Sequence, residues 1–247
     1  MADTSAAASP LKKGKYGIDA PGVIRNLALA GVICGIGPIF FPLIRIGPVT
    51  IDTTGLEWTG AFCSLAAILM LVYSLYGKFK HSEKMLNMIT WTGNEHVLDI
   101  GTGKGLLMIG AAKRLSTGKA TGIDIWNAED LTGNNVENAL NNAAAEGVKD
   151  KIEIKNENAM SMSFADDTFD VILSNMCIHN IYNKQGRKTA CKEIGRVLKK
   201  GGTAIIADWR HVREYRKNFE EIGLPTQYIA GNYLKTFPAV SMVVVKK

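Results

Sequence analysis

Apolar and polar residues are distributed along this chain in two different ways. Before residue 81 they separate into blocks. Asn26–Ile44 holds nineteen residues without a charge, bounded by Arg25 and Arg45, and Trp58–Gly77 holds twenty, bounded by Glu57 and Lys78. Roughly 20 apolar residues cross a hydrocarbon core of ~30 Å, so the two blocks are expected to form a transmembrane helical hairpin. Trp58, Tyr73 and Tyr76 stand near the ends of the second block as interfacial anchors. Gly31, Gly35, Gly37, Pro38 and Pro42 point to a kinked or closely packed first helix. A buried helix of a soluble domain and a signal peptide are the competing readings.

From His81 onward the pattern changes to short apolar runs alternating with helical periodicity. Strands are predicted at 95–100, 120–125, 151–155, 169–174, 203–207, 227–230 and 241–245, and helices at 105–115, 131–146, 186–198 and 211–222. Such alternation predicts an α/β domain with a mainly parallel sheet and helices on both faces. The last two strands lack an intervening helix and are expected to pair antiparallel at the edge. Three regions follow: a tail over 1–22 whose extreme terminus is expected to be disordered, a hairpin over 23–80 and a catalytic domain over 81–247.

Charge sharpens the topology. The chain carries a net charge of +6. Bases crowd the outer flanks of the hairpin (Lys12, Lys13, Lys15 and Arg25, then Lys78, Lys80 and Lys84), while the link carries Asp52 and Glu57. The positive-inside rule then predicts that both termini and the catalytic domain are cytoplasmic. The four cysteines and four histidines are scattered, so no disulfide framework and no metal site is expected. Nucleic acid is excluded as a partner, because no binding module and no interleaving of aromatic and basic residues occurs.

The chemistry concentrates in Val97-Leu-Asp99-Ile-Gly101-Thr102-Gly103-Lys-Gly105, followed by Gly122-Ile-Asp124-Ile125. Each apolar run ends in an acid, and a glycine-rich turn opens a helix between them. Glycines allow close approach of backbone to a ligand, and an acid closing the second strand suits a ribose diol.

These segments resemble the first and second motifs of class I S-adenosylmethionine-dependent methyltransferases. Asp166-Asp-Thr-Phe-Asp170-Val-Ile-Leu-Ser-Asn175 resembles their fourth motif, and Ile194-Gly-Arg-Val-Leu-Lys-Lys-Gly-Gly202 is similar to the approach to their fifth strand. The resemblance implies a Rossmann-like, seven-stranded sheet with an antiparallel last strand and S-adenosyl-L-methionine as cofactor. It also implies that Gly101, Thr102, Gly103 and Gly105 shape the methionine and sugar site and that Asp99 holds the loop. Asp124 is then the ribose ligand, and Asn158 and Ala159 meet the adenine edge, with Asn158 departing from the family's usual aspartate. Ile125 follows Asp124 and covers the adenine. Trp126 either joins it or is a surface aromatic. Asn175 lies at the crevice beyond the fourth strand of the motif series.

On the acceptor side His179 is the candidate general base or orienting residue, with a structural histidine as the alternative. Cys177 is read as a packed thiol and Asp208-Trp209 as a further wall. Tyr16–Pro21 is either a lid or a plain linker. The expectation is a membrane-anchored methyltransferase acting on a small-molecule or lipid substrate at the cytoplasmic membrane face. A non-catalytic scaffold and a soluble enzyme with a helical lid are the rivals. Acceptor atom, host membrane and oligomeric state are left open.

Overall fold

The structure is a computed structural model that describes residues 14–247; the expected disorder of the extreme terminus lies outside the described residues. Strands β3 (His96–Ile100), β4 (Lys119–Asp124), β5 (Ile152–Asn156), β6 (Phe169–Asn175), β7 (Leu198–Asp208), β8 (Thr226–Ile229) and β9 (Ser241–Lys246) form one sheet. Its seven strands follow the order β5-β4-β3-β6-β7-β9-β8. β9 runs antiparallel to both neighbours and every other pairing is parallel. The final two strands pair as expected, but β9 inserts beside β7 and leaves β8 at the edge.

Successive residues of a strand point to opposite faces, and the core follows that period. Val97, Val171, Leu173, Ile205, Met242 and Val244 meet helices α3 (Lys78–Leu86), α4 (Leu106–Ala112) and α5 (Val136–Ala145) on one face. Leu98, Ile172, Ala204, Ile206, Val243 and Val245 meet α6 (Lys184–Val197) and α7 (Val212–Glu221) on the other. A strand buried on both sides must be apolar throughout, which is why these runs carry so few charges. The helix expected from residue 131 begins only at Val136, because Asn135 caps it by accepting from the Asn138 N–H.

The N-terminal blocks form α1 (Pro21–Phe40) and α2 (Leu56–Val72), lying against each other. The link between them contains an unanticipated antiparallel ribbon of β1 (Leu43–Ile46) and β2 (Val49–Asp52). A Cβ on Gly60 would collide with the Gly35 backbone, and one on Gly31 would strike Ser64, so small residues set the separation of the helices. The second block does not stop at Gly77. A π-helical turn over Tyr73–Gly77 carries α2 into α3, making one helix from Leu56 to Leu86. Both helices are long and apolar enough to cross a bilayer, and only 6% and 28% of their apolar windows are buried.

Candidate active site

The glycine-rich turn is built from one donor network. Thr102 Oγ donates to Asp99 Oδ2 at 2.8 Å and the Met108 N–H donates to the same oxygen at 3.0 Å. Asp124 accepts from the Gly103 N–H at 2.8 Å through one oxygen and from the Trp126 N–H at 2.7 Å through the other. The first acid therefore fixes the start of α4, while the second ties the turn to the end of β4. Gly101 must be glycine twice over: its φ is +71°, and a Cβ would collide with Cys177 Sγ.

Above the turn lies a cavity of about 640 Å³. Asp99, Gly101, Thr102, Gly103, Asp124, Ile125, Asn158, Ala159, Asn175 and His179 all line it. Gly105 and Trp126 do not. Gly105 acts one step back as the left-handed residue that opens α4, and Trp126 is a half-buried residue with φ +61° beside the wall. The Asn158 side-chain oxygen already accepts from the Met160 N–H at 2.9 Å.

Carboxylates give the cavity a negative field. Burial pushes the Asp99 carboxyl up to about 7, the Asp124 charge adds to that shift, and the bonds from Thr102 and Met108 oppose it. Cys177 is raised well above an ordinary thiol, first by burial and then by Asp124, Asp208, Asp99 and Asp130, so it is a packed thiol and no nucleophile. His179 Nδ1 lies 2.7 Å from Asp208 Oδ1, a close contact without aligned hydrogen-bond geometry. The His179 N–H donates to Asp208 Oδ2 at 3.0 Å, and Trp209 stands edge-on to the imidazole ring at 5.8 Å. Asp208 is fully buried. The carboxylate thus lies against the Nδ1 side of the ring, and His179 lines the cavity.

Several wall residues gave no signal in the sequence. Tyr73, Ser82, Asn134 and Glu157 line the cavity. The Tyr73 hydroxyl, Ser82 Oγ, Asn134 Oδ1 and Asn175 Oδ1 are buried without a hydrogen-bond partner among the described residues. Tyr73, expected as an interfacial anchor, is buried, whereas Tyr76 remains exposed. Lys78 is a further correction. Read as a flanking topology charge, it is 4% exposed, and its ammonium donates to Tyr16 O at 3.1 Å, Gly17 O at 2.6 Å and Asp19 Oδ1 at 3.3 Å. Tyr16, Asp19 and Ala20 line the same cavity, so Tyr16–Ala20 is a strap over it and not a plain linker.

A ligand of this cavity must be about nucleoside-sized, must tolerate close backbone, and gains from positive charge. S-adenosylmethionine fits each demand: a ribose for Asp124, a sulfonium and an ammonium for the acidic surround, and polar ends for the orphaned amides. The model of the family described as "Methyltransferase domain" matches residues 92–234. The chain belongs to this methyltransferase family. S-adenosylmethionine is its methyl donor.

Among curated proteins, the sterol 4-C-methyltransferase strm-1 of Caenorhabditis elegans is 34% identical over 128 residues, 52% of this chain and 35% of its own length. The demethylmenaquinone methyltransferase of Symbiobacterium thermophilum is 33% identical over 115 residues, 46% of this chain and 42% of its own. The match thus spans well under two thirds of these relatives. Among solved structures, geranyl diphosphate methyltransferase in complex with SAM superposes with a TM-score of 0.58 at 16% identity, covering 74% of this chain and 90% of that one. A SAM-dependent methyltransferase from Aquifex aeolicus gives 0.53 at 20% identity, covering 66% and 88%. At such identities the superpositions speak for the fold.

Proposed function

We propose that this chain is a membrane-anchored methyltransferase that acts on a small lipophilic acceptor at the cytoplasmic membrane face. One observation carries the reading: the wall of the methyl-donor cavity includes Val23 of α1 and Met70 of α2, residues of the two apolar helices themselves. The cavity reaches the end of the hairpin, with no linker between them. Arg25, Lys80 and Lys84 support a cytoplasmic domain even with Lys78 withdrawn from the count. Two curated relatives are named for sterol and demethylmenaquinone acceptors, in keeping with a lipophilic substrate.

When bound, S-adenosylmethionine supplies an electrophilic methyl group on a positively charged sulfur. The protein orients and desolvates the reactants and removes a proton where the acceptor carries one. Asp124 and the turn at Gly101–Gly103 would hold the donor, with Asn175 in the same cavity wall. His179, held against Asp208 by its backbone N–H, takes the acceptor proton on its imidazole. The test is mass spectrometry of membrane extracts incubated with the full chain and a deuteromethyl donor. A labelled lipophilic product is expected, reduced roughly 10²-fold or more in His179→Ala. No labelled product from any membrane fraction would reject the enzymatic reading in favour of a scaffold. Release of the chain by carbonate would reject the anchor.

A further inference from the structure

The π turn over Tyr73–Gly77 sits where the apolar part of the second helix gives way to the catalytic domain. Such turns insert one extra residue per turn, cost hydrogen-bond geometry and recur at functional sites. Here the Lys78 N–H donates to Tyr73 O across the wide turn, stacking Tyr73 over Lys78. A Cβ on Gly77 would press on the Tyr73 ring, so glycine at that position leaves the ring its place. The helix thereby presents Met70, Tyr73, Lys78 and Ser82 to one cavity.

Tyr73 is 6% exposed, yet its hydroxyl has no hydrogen-bond partner among the described residues. It lies within interaction distance of the Asn175 side chain, short of aligned hydrogen-bond geometry, and within electrostatic reach of Asp208, which contacts His179. A buried phenol that lacks a partner and faces a cavity is a group prepared for a ligand. The hydroxyl donates one hydrogen bond, whereas a neutral imidazole accepts one at its unprotonated nitrogen. A ligand hydroxyl satisfies both at once, because it carries a proton and a lone pair. A protonated amine has no lone pair to offer Tyr73.

The rest of the cavity is apolar toward the hairpin. Val23 and Met70 flank that end, and Ile181, Trp209, Phe237 and Pro238 form the adjoining wall. Resting on the membrane-anchored reading above, we propose that the acceptor is an amphiphilic alcohol or phenol drawn from the bilayer. Its tail leaves between Val23 and Met70, and its hydroxyl is received by Tyr73 and His179.

The test reads binding, so it does not depend on turnover. The full chain is reconstituted in phosphatidylcholine nanodiscs with S-adenosylhomocysteine and given 4-dodecylphenol bearing a diazirine in its chain. Photolabelling is expected in the peptides that contain Val23 and Met70. Tyr73→Phe should weaken probe binding about tenfold while S-adenosylhomocysteine affinity, the control for folding, stays within about twofold. Met70→Trp should exclude the dodecyl probe and still admit phenol itself. Label confined to the outer loops, equal probe affinity in Tyr73→Phe, or equal affinity for a 4-dodecylbenzylamine probe would overturn the proposal. Loss of S-adenosylhomocysteine affinity in Tyr73→Phe would overturn it too, by assigning the hydroxyl to the donor. A labelled methylated product in membrane extracts together with any of those failures would retain the proposed function and remove only this acceptor site.

Discussion

The sheet domain and the helical hairpin use the same kinds of apolar residue in opposite senses. In the sheet, neighbouring strand residues such as Leu98 and Val97, or Ile172 and Val171, go to two different cores, and both are shielded from solvent. In the hairpin, Ile33, Ile39, Phe62 and Ile68 face outward, while glycines and Ser64 line the contact between helices. Apolar burial drives the first arrangement in water. The second leaves its apolar side chains exposed, and its helices meet through close backbone packing. The two halves should therefore respond to different insults, and they meet at one polar knot formed by Lys78, Asp19 and Ser74.

The largest effect should come from the sheet side. Asp124→Ala removes the acceptors that hold the Gly103 and Trp126 amides together with the ribose ligand. Charge-assisted bonds contribute about 1.5–3 kcal/mol each, so affinity for S-adenosylmethionine should fall about a thousandfold by isothermal titration. The hairpin should be unaffected, as judged by its protease resistance in detergent. An Asp124→Ala chain that binds the donor normally would dissolve the assignment of the cavity.

The converse experiment uses Gly60→Leu. Its side chain has to displace the Gly35 backbone, an overpacking cost of about 3 kcal/mol borne by the hairpin. Protease should then cut the hairpin readily while the urea midpoint of the sheet domain stays in place. A matching loss in the sheet would mean that the halves fold as one unit.

The difference between the halves also explains what could be read from the residues alone. Strand positions and the glycine turn follow from local signals: short apolar runs, an acid closing the first two, and a turn demanding left-handed residues at Gly101 and Gly105. Tyr73 and Lys78 were misassigned because they border an apolar block, where an aromatic and a base ordinarily mark an interface. Nothing local distinguishes an interfacial lysine from one that reaches three acceptors on a strap sixty residues away. Only the fold brings Tyr16, Asp19 and Ala20 over the cavity. The β1–β2 ribbon was missed for the reverse reason: its strands are short, fully exposed and close no core.

Acidity offers a finer separation. Asp99 belongs to the sheet domain alone, and burial raises its folded carboxyl to about 7, above the unfolded value. A group raised in the folded state contributes stability that is fully present below its unfolded pKa and is lost as pH rises through the folded one. Between about pH 4 and 7 the sheet domain should thus lose about 4 kcal/mol from this group. Asp99→Asn keeps an oxygen for Thr102 and Met108, so the slope of urea stability against pH should flatten over that window without touching the hairpin. An unchanged slope would show that Asp99 is not the group that titrates.

The smallest effect, and the one aimed at the junction, is that of Lys78→Met. Methionine keeps much of the buried stem and deletes the ammonium, leaving Tyr16 O, Gly17 O and Asp19 with one donor fewer. Asp19 retains Ser74, which receives its N–H at 2.7 Å and donates to its carboxylate at 3.1 Å, so the strap should loosen without being lost. Hydrogen exchange at the Asp19 and Ala20 amides should quicken about tenfold, about 1.4 kcal/mol of local opening. S-adenosylhomocysteine affinity should weaken by no more than that, since Tyr16–Ala20 forms only one wall of its cavity. Sheet and hairpin should each keep their own stability, because neither core includes Lys78. Were both to weaken together, the knot would be a structural support common to the two halves; if exchange did not change at all, Ser74 and the backbone bonds to Asp130 and Thr132 would be enough to hold the strap.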